Sequence, residues 1–164
     1  MSNHTIFLLL QISCKQHGIN YTQVILENKR INTGFLKTID EPEKALLSWY
    51  LFAYGNECIE NSAKVKCEIL NILNIDDECS KEHIIFLNEW FTNDFLVRYK
   101  LKNCPNLPEG SAIQNTIDKL VLVRKFDTIS IEYHIKGLNN IQEKSWNIKR
   151  TDSYIIIEDS LKKV

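Results

Sequence analysis

Asp127-Thr128-Ile129-Ser130-Ile131-Glu132-Tyr133-His134-Ile135-Lys136 reads as a β-strand with one dry and one wet face. Ile129, Ile131, Tyr133 and Ile135 fall on one side, and Ser130, Glu132, His134 and Lys136 on the other. Strict period two excludes an amphipathic helix, whose apolar residues recur every three to four positions. A strand of this kind does not stand alone, because its edges need partners and its dry face needs a cover.

The flanking sequence supplies the partners. Lys119 to Arg124 precedes the strand, and Lys144 to Arg150 and Ser153 to Glu158 follow it. Phe126-Asp127, Gly137-Leu138-Asn139-Asn140 and Thr151-Asp152 are the expected turns between them. Upstream, Phe95 to Leu101 also alternates like a strand, and Asn103 to Gly110, with Pro105 and Pro108, is the expected main loop. These segments predict an antiparallel C-terminal meander of four to five strands.

The cover comes from the first half of the chain. Asp40, Glu41, Pro42 and Glu43 form a helix start, with an N-cap acceptor, a proline in the first turn and negative charge at the positive end of the dipole. From Ala45 to Tyr54 apolar residues surround the axis, which predicts a helix buried on most sides, and Gly55-Asn56 stops it. A second helix is expected over Ser62 to Leu73, with Val65, Ile69, Ile72 and Leu73 on one face. A third follows Ser80 as N-cap and carries Ile84, Leu87, Trp90 and Phe91 before Asn93-Asp94. Tyr21 to Leu36, around Gly34, predicts a short strand or irregular lead-in. The expected fold class is therefore α+β, with about three N-terminal helices on one face of the sheet.

Composition narrows the function classes. The chain has 164 residues, enough for one domain with a sizeable core. Twenty basic and twenty-one acidic residues leave a net charge of −1, which argues against nucleic acid as a partner. Five glycines and three prolines argue against a loop-dominated scaffold.

The N-terminus suggests an address. Thr5-Ile6-Phe7-Leu8-Leu9-Leu10-Gln11-Ile12-Ser13-Cys14 is a short apolar run closed by a cysteine, with polar Lys15-Gln16-His17-Gly18 behind it. Its apolar core is far shorter than the roughly twenty residues that span a bilayer. The stretch resembles the signals of bacterial lipoproteins, especially uncharacterised ones of Bacteroidota, which end in Ile-Ser-Cys-Lys-like sequences. The segment from Ala45 to Cys58 resembles helices of the same group. That resemblance implies cleavage before Cys14, acylation of its thiol, and anchoring in the cell envelope. Residues 1–13 would then be the signal, 14–20 a tether, and 21–164 a single α+β domain. On the other reading of the same residues, Ile6 to Ile12 is a buried strand and Cys14 a buried thiol of a cytoplasmic protein.

Cys58, Cys67, Cys79 and Cys104 are an even set that can form two disulfides outside the cytoplasm. None makes the close pair of a zinc site or a thioredoxin-like centre. Of the three pairings, Cys67 with Cys79 and Cys58 with Cys104 would clip one helix to the next and tie the helical half to the first strand region. Four reduced, buried thiols are the alternative.

No catalytic or metal site and no cofactor is expected. His4, His17, His83 and His134 are scattered, and a His-carboxylate pair built on His83 and Glu82, or His134 and Glu132, lacks any nucleophile motif. Asp76-Asp77-Glu78 lacks the glycine and alternating acids of a calcium loop, and Glu57 and Glu60 beside Cys58 invite no stronger reading. Trp49, Tyr50, Phe52, Tyr54, Trp90 and Phe91 are either core or the lining of an apolar pocket, as in helix-plus-curved-sheet folds of the cystatin or nuclear-transport-factor type. Three functions fit: a lipid-anchored interaction or structural module of the envelope, a small-molecule binder or enzyme with a pocket between helices and sheet, and an immunity protein that neutralises a toxin. The membrane, through the anchor, and a protein are the partner classes; the sequence leaves oligomeric state open.

Overall fold

The alternating segment is the core of β4 (Thr128–Asn139), an interior strand of an antiparallel sheet. The computed structural model describes residues 19–55, 64–75, 81–91, 93–95, 97–98, 102, 113–157 and 160–164. Within them run β1 (Asn20–Glu27), β2 (Arg30–Ile31), α1 (Thr33–Leu36), α2 (Glu41–Tyr54), α3 (Lys64–Leu73), α4 (Lys81–Trp90), β3 (Ile113–Lys125), β4, β5 (Lys144–Ile157) and β6 (Ser160–Lys163). The sheet order is β2-β1-β3-β4-β5-β6 with every pairing antiparallel. The α+β class and the helical cover on one face stand, with six strands rather than four or five and four whole helices rather than three among the described residues.

The dry face of β4 is buried as its pattern requires: Ile129, Ile131 and Ile135 are fully buried and Tyr133 nearly so. Register extends this face sideways, with Leu120, Leu122 and Arg124 of β3 opposite Tyr133, Ile131 and Ile129. Tyr154 and Asp152 of β5 lie opposite Ile129 and Ile131. Over this surface lies α2, packed against β3, α3 and α4. Its all-round apolar sequence is explained by that position, since Leu46, Leu47, Tyr50, Leu51, Ala53 and Tyr54 are all fully buried. Burial of each large side chain contributes on the order of 1.5–3 kcal/mol. Among the described residues no helix is long and apolar enough to cross a membrane.

Several local expectations change. The lead-in is a β1–β2 hairpin turning on Asn28 and Lys29, both at positive φ, and β1 joins the sheet against β3. The short α1 follows, capped by the Asn32 side chain, which accepts from the Phe35 amide at 3.2 Å. Where a strand is expected over Phe95 to Leu101, the described residues 95, 97 and 98 are helical. Asp94 explains this, because its carbonyl accepts from the Arg98 amide at 2.9 Å and its side chain lies 3.4 Å from the Val97 amide. The turn at Phe126-Asp127 is present, with Phe126 at a φ of 54°.

Of the other two expected turns, one is displaced and one is not a turn. Gly137 to Asn139 belong to β4, and the chain reverses over 140–143. Gly137 is there because the Trp146 ring lies across it; a Cβ at that position would sit 1.9 Å from the ring. Thr151-Asp152 lies inside β5, in unbroken register with β4 from Lys144 to Ile155. The loop over Asn103 to Gly110 and the signal and tether through residue 18 lie outside the described residues.

Candidate functional site

Helical spacing sorts the α2 aromatics. Tyr50 and Tyr54, four apart, point at the sheet, whereas Glu41, Pro42, Ala45 and Trp49 form a neighbouring stripe facing α4. Each stripe builds a distinct feature.

The sheet-facing stripe enters a polar cluster. The Tyr50 hydroxyl donates to Oδ2 of Asp152 and lies 2.7 Å from the Tyr154 hydroxyl. Tyr133 donates to the same Asp152 oxygen at 3.0 Å, and Lys163 Nζ lies 3.2 Å from Oδ1. Tyr54 donates to Asp94 Oδ2 at 2.8 Å, with Arg150 Nη1 4.0 Å from that oxygen. Phe91 stands edge-on to Tyr50 and Tyr54, with centroids 5.6 Å away in both cases. Tyr54 stacks on Tyr133 at 5.3 Å.

Burial, followed by the neighbouring phenols and carboxylates, pushes the Tyr50 and Tyr54 hydroxyls far above the usual phenol range. Burial likewise raises Tyr133 and Tyr154, with the Asp152 charge adding to it in both. These phenols are therefore neutral donors at physiological pH, neither bases nor nucleophiles. Their carboxylate acceptors are engaged by several donors each. The cluster clamps α2 and the Asp94 turn onto β4 and β5, with each bond to a charged acceptor worth about 1.5–3 kcal/mol.

A second clamp fixes the start of α2. Glu43, 2% exposed, accepts from Arg124 Nη1 at 2.6 Å and from the Tyr21 hydroxyl at 3.0 Å, both on Oε1. Arg124 Nε also donates to the Phe126 carbonyl, and Glu43 Oε2 accepts no hydrogen bond.

The other stripe borders an apolar groove of about 660 Å³ between α2, α4 and the β5–β6 end of the sheet. Pro42 and Trp49 form one wall, Ile85 and Trp90 the other, and Ile156 and Leu161 the floor, with Glu41 and Glu89 contributing acids. Such a volume lies within the range of about 300–1,000 Å³ common for ligand sites. Trp90 also meets Tyr154 edge-on at 6.3 Å, so one side chain joins the groove to the clamp.

Of the six aromatics singled out from sequence, Trp49 and Trp90 line the groove, and Tyr50, Tyr54 and Phe91 belong to the clamp. Phe52 is buried apart, beneath the Lys66 ammonium at 5.7 Å. Cys67 is half-buried on α3 and disulfide-bonded; Cys14, Cys58, Cys79 and Cys104 lie outside the described residues. So do Glu57, Glu60, the Asp76-Asp77-Glu78 run and the His83 side chain. His134 is half-buried on the far face of the sheet, opposite Lys119 and Lys149.

Among the described residues no group of three or more His, Cys, Asp or Glu could hold a metal ion. Sequence reading missed Asp94, Asp152, Tyr133, Tyr154, Glu43 and Arg124 as a polar framework. A tyrosine on the dry face of a strand and an arginine in phase with it were the available signals. The chain matches no protein-family profile, no curated protein and no solved structure.

Proposed function

We propose that this protein is a non-catalytic interaction module of the cell envelope, held there by lipid on Cys14. The observation that carries the non-catalytic part is the occupied space between α2 and the sheet. Its phenols and carboxylates are bonded to one another, and burial keeps the phenols protonated. Groups arranged in this way hold a fold together instead of attacking a substrate. The disulfide on Cys67 supports an oxidising compartment, with Cys67–Cys79 and Cys58–Cys104 as the pairing we favour. Several acyl chains, as on a bacterial lipoprotein, suffice for stable anchoring where one does not.

A small-molecule binder is the second reading, favoured by the groove with its facing tryptophans. The toxin-neutralising reading asks for an acidic or aromatic patch on the far face of the sheet. The described residues there mix the acids Glu27 and Glu132 with the bases Lys119, Lys125, Lys136 and Lys149, so neither an acidic nor an aromatic patch supports it.

Fractionation of the native host tests the anchor. The wild-type protein is expected in the membrane fraction, released by detergent and not by high salt, and Cys14→Ser is expected to leave that fraction. Wild-type protein recovered entirely in the soluble cytoplasm would overturn the proposal.

A further inference from the structure

β5 is 14 residues long, but β6 pairs only with Tyr154–Ile157. The Val164 amide extends this to the Ser153 carbonyl at 3.0 Å. Beyond that point residues 144–152 have no strand on their far side among the described residues. Register with β4 is unbroken there, so backbone groups alternate strictly between the two neighbours. The Ser153 carbonyl faces β6, and the Ile156 amide faces the opposite way, donating to Asp127 at 2.8 Å. That parity turns the N–H and C=O groups of Ser145, Asn147, Lys149 and Thr151 toward the open side. All four residues are exposed.

The edge has a charge as well as a geometry. Lys144, Lys149 and Arg150 are basic, and Asp152, the one acid, is engaged by Tyr50, Tyr133 and Lys163. Arg150 keeps 54% of its side chain in solvent, with its nearest paired carboxylate 4.0 Å away. Trp146 and Ile148, half-buried on the helix-side face, offer seats for apolar residues of an added strand. Two copies of the chain pairing here about Ile148 would set their two Lys149 side chains diagonally across the seam on one face, where they repel. Edge cations guard a sheet against indiscriminate self-pairing while leaving it open to a strand of opposite charge.

We infer that the β5 edge from Lys144 to Asp152 binds an extended acidic segment of a partner protein, added to the sheet as a further strand. This deepens the interaction-module reading and rests on it. Backbone bonds to Ser145, Asn147, Lys149 and Thr151 supply affinity, and carboxylates beside Lys149, on the face away from the helices, supply selectivity.

The test is amide hydrogen exchange on the isotopically labelled full chain, with a synthetic probe of alternating Glu and Val or Thr, about nine residues long to match the edge. Added probe should slow exchange at 145, 147, 149 and 151 and leave 146, 148 and 150, already bonded to β4, unchanged. Lys149→Glu, which sets a like charge on the face that takes the probe's Glu side chains, should weaken binding by about tenfold. Thr151→Pro, which removes a donor no ladder bond uses, should abolish protection around 151. Unchanged exchange at all four amides would overturn the inference, as would equal protection by a probe with Lys in place of Glu. Concentration-dependent protection without any probe would overturn it too, by assigning the edge to a second copy. Perturbation confined to Trp49 and Trp90 would overturn the edge while leaving an interaction module, and the Cys14→Ser fractionation decides that reading separately.

Discussion

Raising the pH should unfold this protein abruptly, because its core is clamped by phenols that must stay protonated. Tyr50, Tyr54, Tyr133 and Tyr154 are nearly or fully buried, and each has its titration pushed above the usual phenol value, first by burial. The unfolded chain loses these protons near pH 10 while the folded chain keeps them, so the unfolded state binds fewer protons and stability falls as pH rises. It is fully present below pH about 10 and drains away above it. Each retained proton costs about 1.4 kcal/mol per pH unit in that window, so the four together remove about 5–6 kcal/mol by pH 11. That is comparable with the whole stability of many domains, about 5–15 kcal/mol. Absorbance at 295 nm, followed with circular dichroism, reads both events. The buried phenols should ionise in one cooperative step coincident with loss of structure. Smooth ionisation of all tyrosines near pH 10 with the far-ultraviolet spectrum intact would refute the reasoning.

Removing one partner of the Glu43–Arg124 pair leaves a buried charge, so Arg124→Met should cost about 3–5 kcal/mol by urea denaturation. Glu43→Leu with Arg124→Met should come within about 1 kcal/mol of wild type, and equal loss in single and double variants would count against a desolvated pair. Gly137→Ala drives a methyl into the Trp146 ring, whose Nε1 donates to Asn115 at 3.1 Å. It should lower stability by about 1–3 kcal/mol and shift tryptophan fluorescence to the red, whereas an unchanged spectrum would deny the contact. Ile85→Glu, at a side chain half exposed on the groove wall, should abolish Nile red fluorescence enhancement with the melting temperature almost unchanged. Retained dye binding would place the apolar site elsewhere.

The legible parts of the fold were those written in local chemistry. The alternation of β4 and the Asp40–Pro42 start of α2 each carry their own signal, and both elements formed where the pattern puts them. Asp152 misled because an aspartate after a threonine is common in turns, yet here it is a part-buried acceptor 102 residues from its donor Tyr50. Phe95 to Leu101 misled because alternation over a few residues does not outweigh a capping Asp94, and Phe95 proved 67% exposed. The aromatic residues of the candidate site could be named from the apolar residues that surround the axis of α2 and from the Trp90-Phe91 pair at the end of α4. Their division between clamp and groove depends on which side of α2 the sheet lies, which no local pattern states.

The mass of the intact protein purified from the envelope of its native host tests the central claim most directly. The account predicts loss of residues 1–13, added acyl mass on Cys14, and four hydrogens fewer than the reduced chain through two disulfides. An unprocessed chain carrying five free thiols would contradict it.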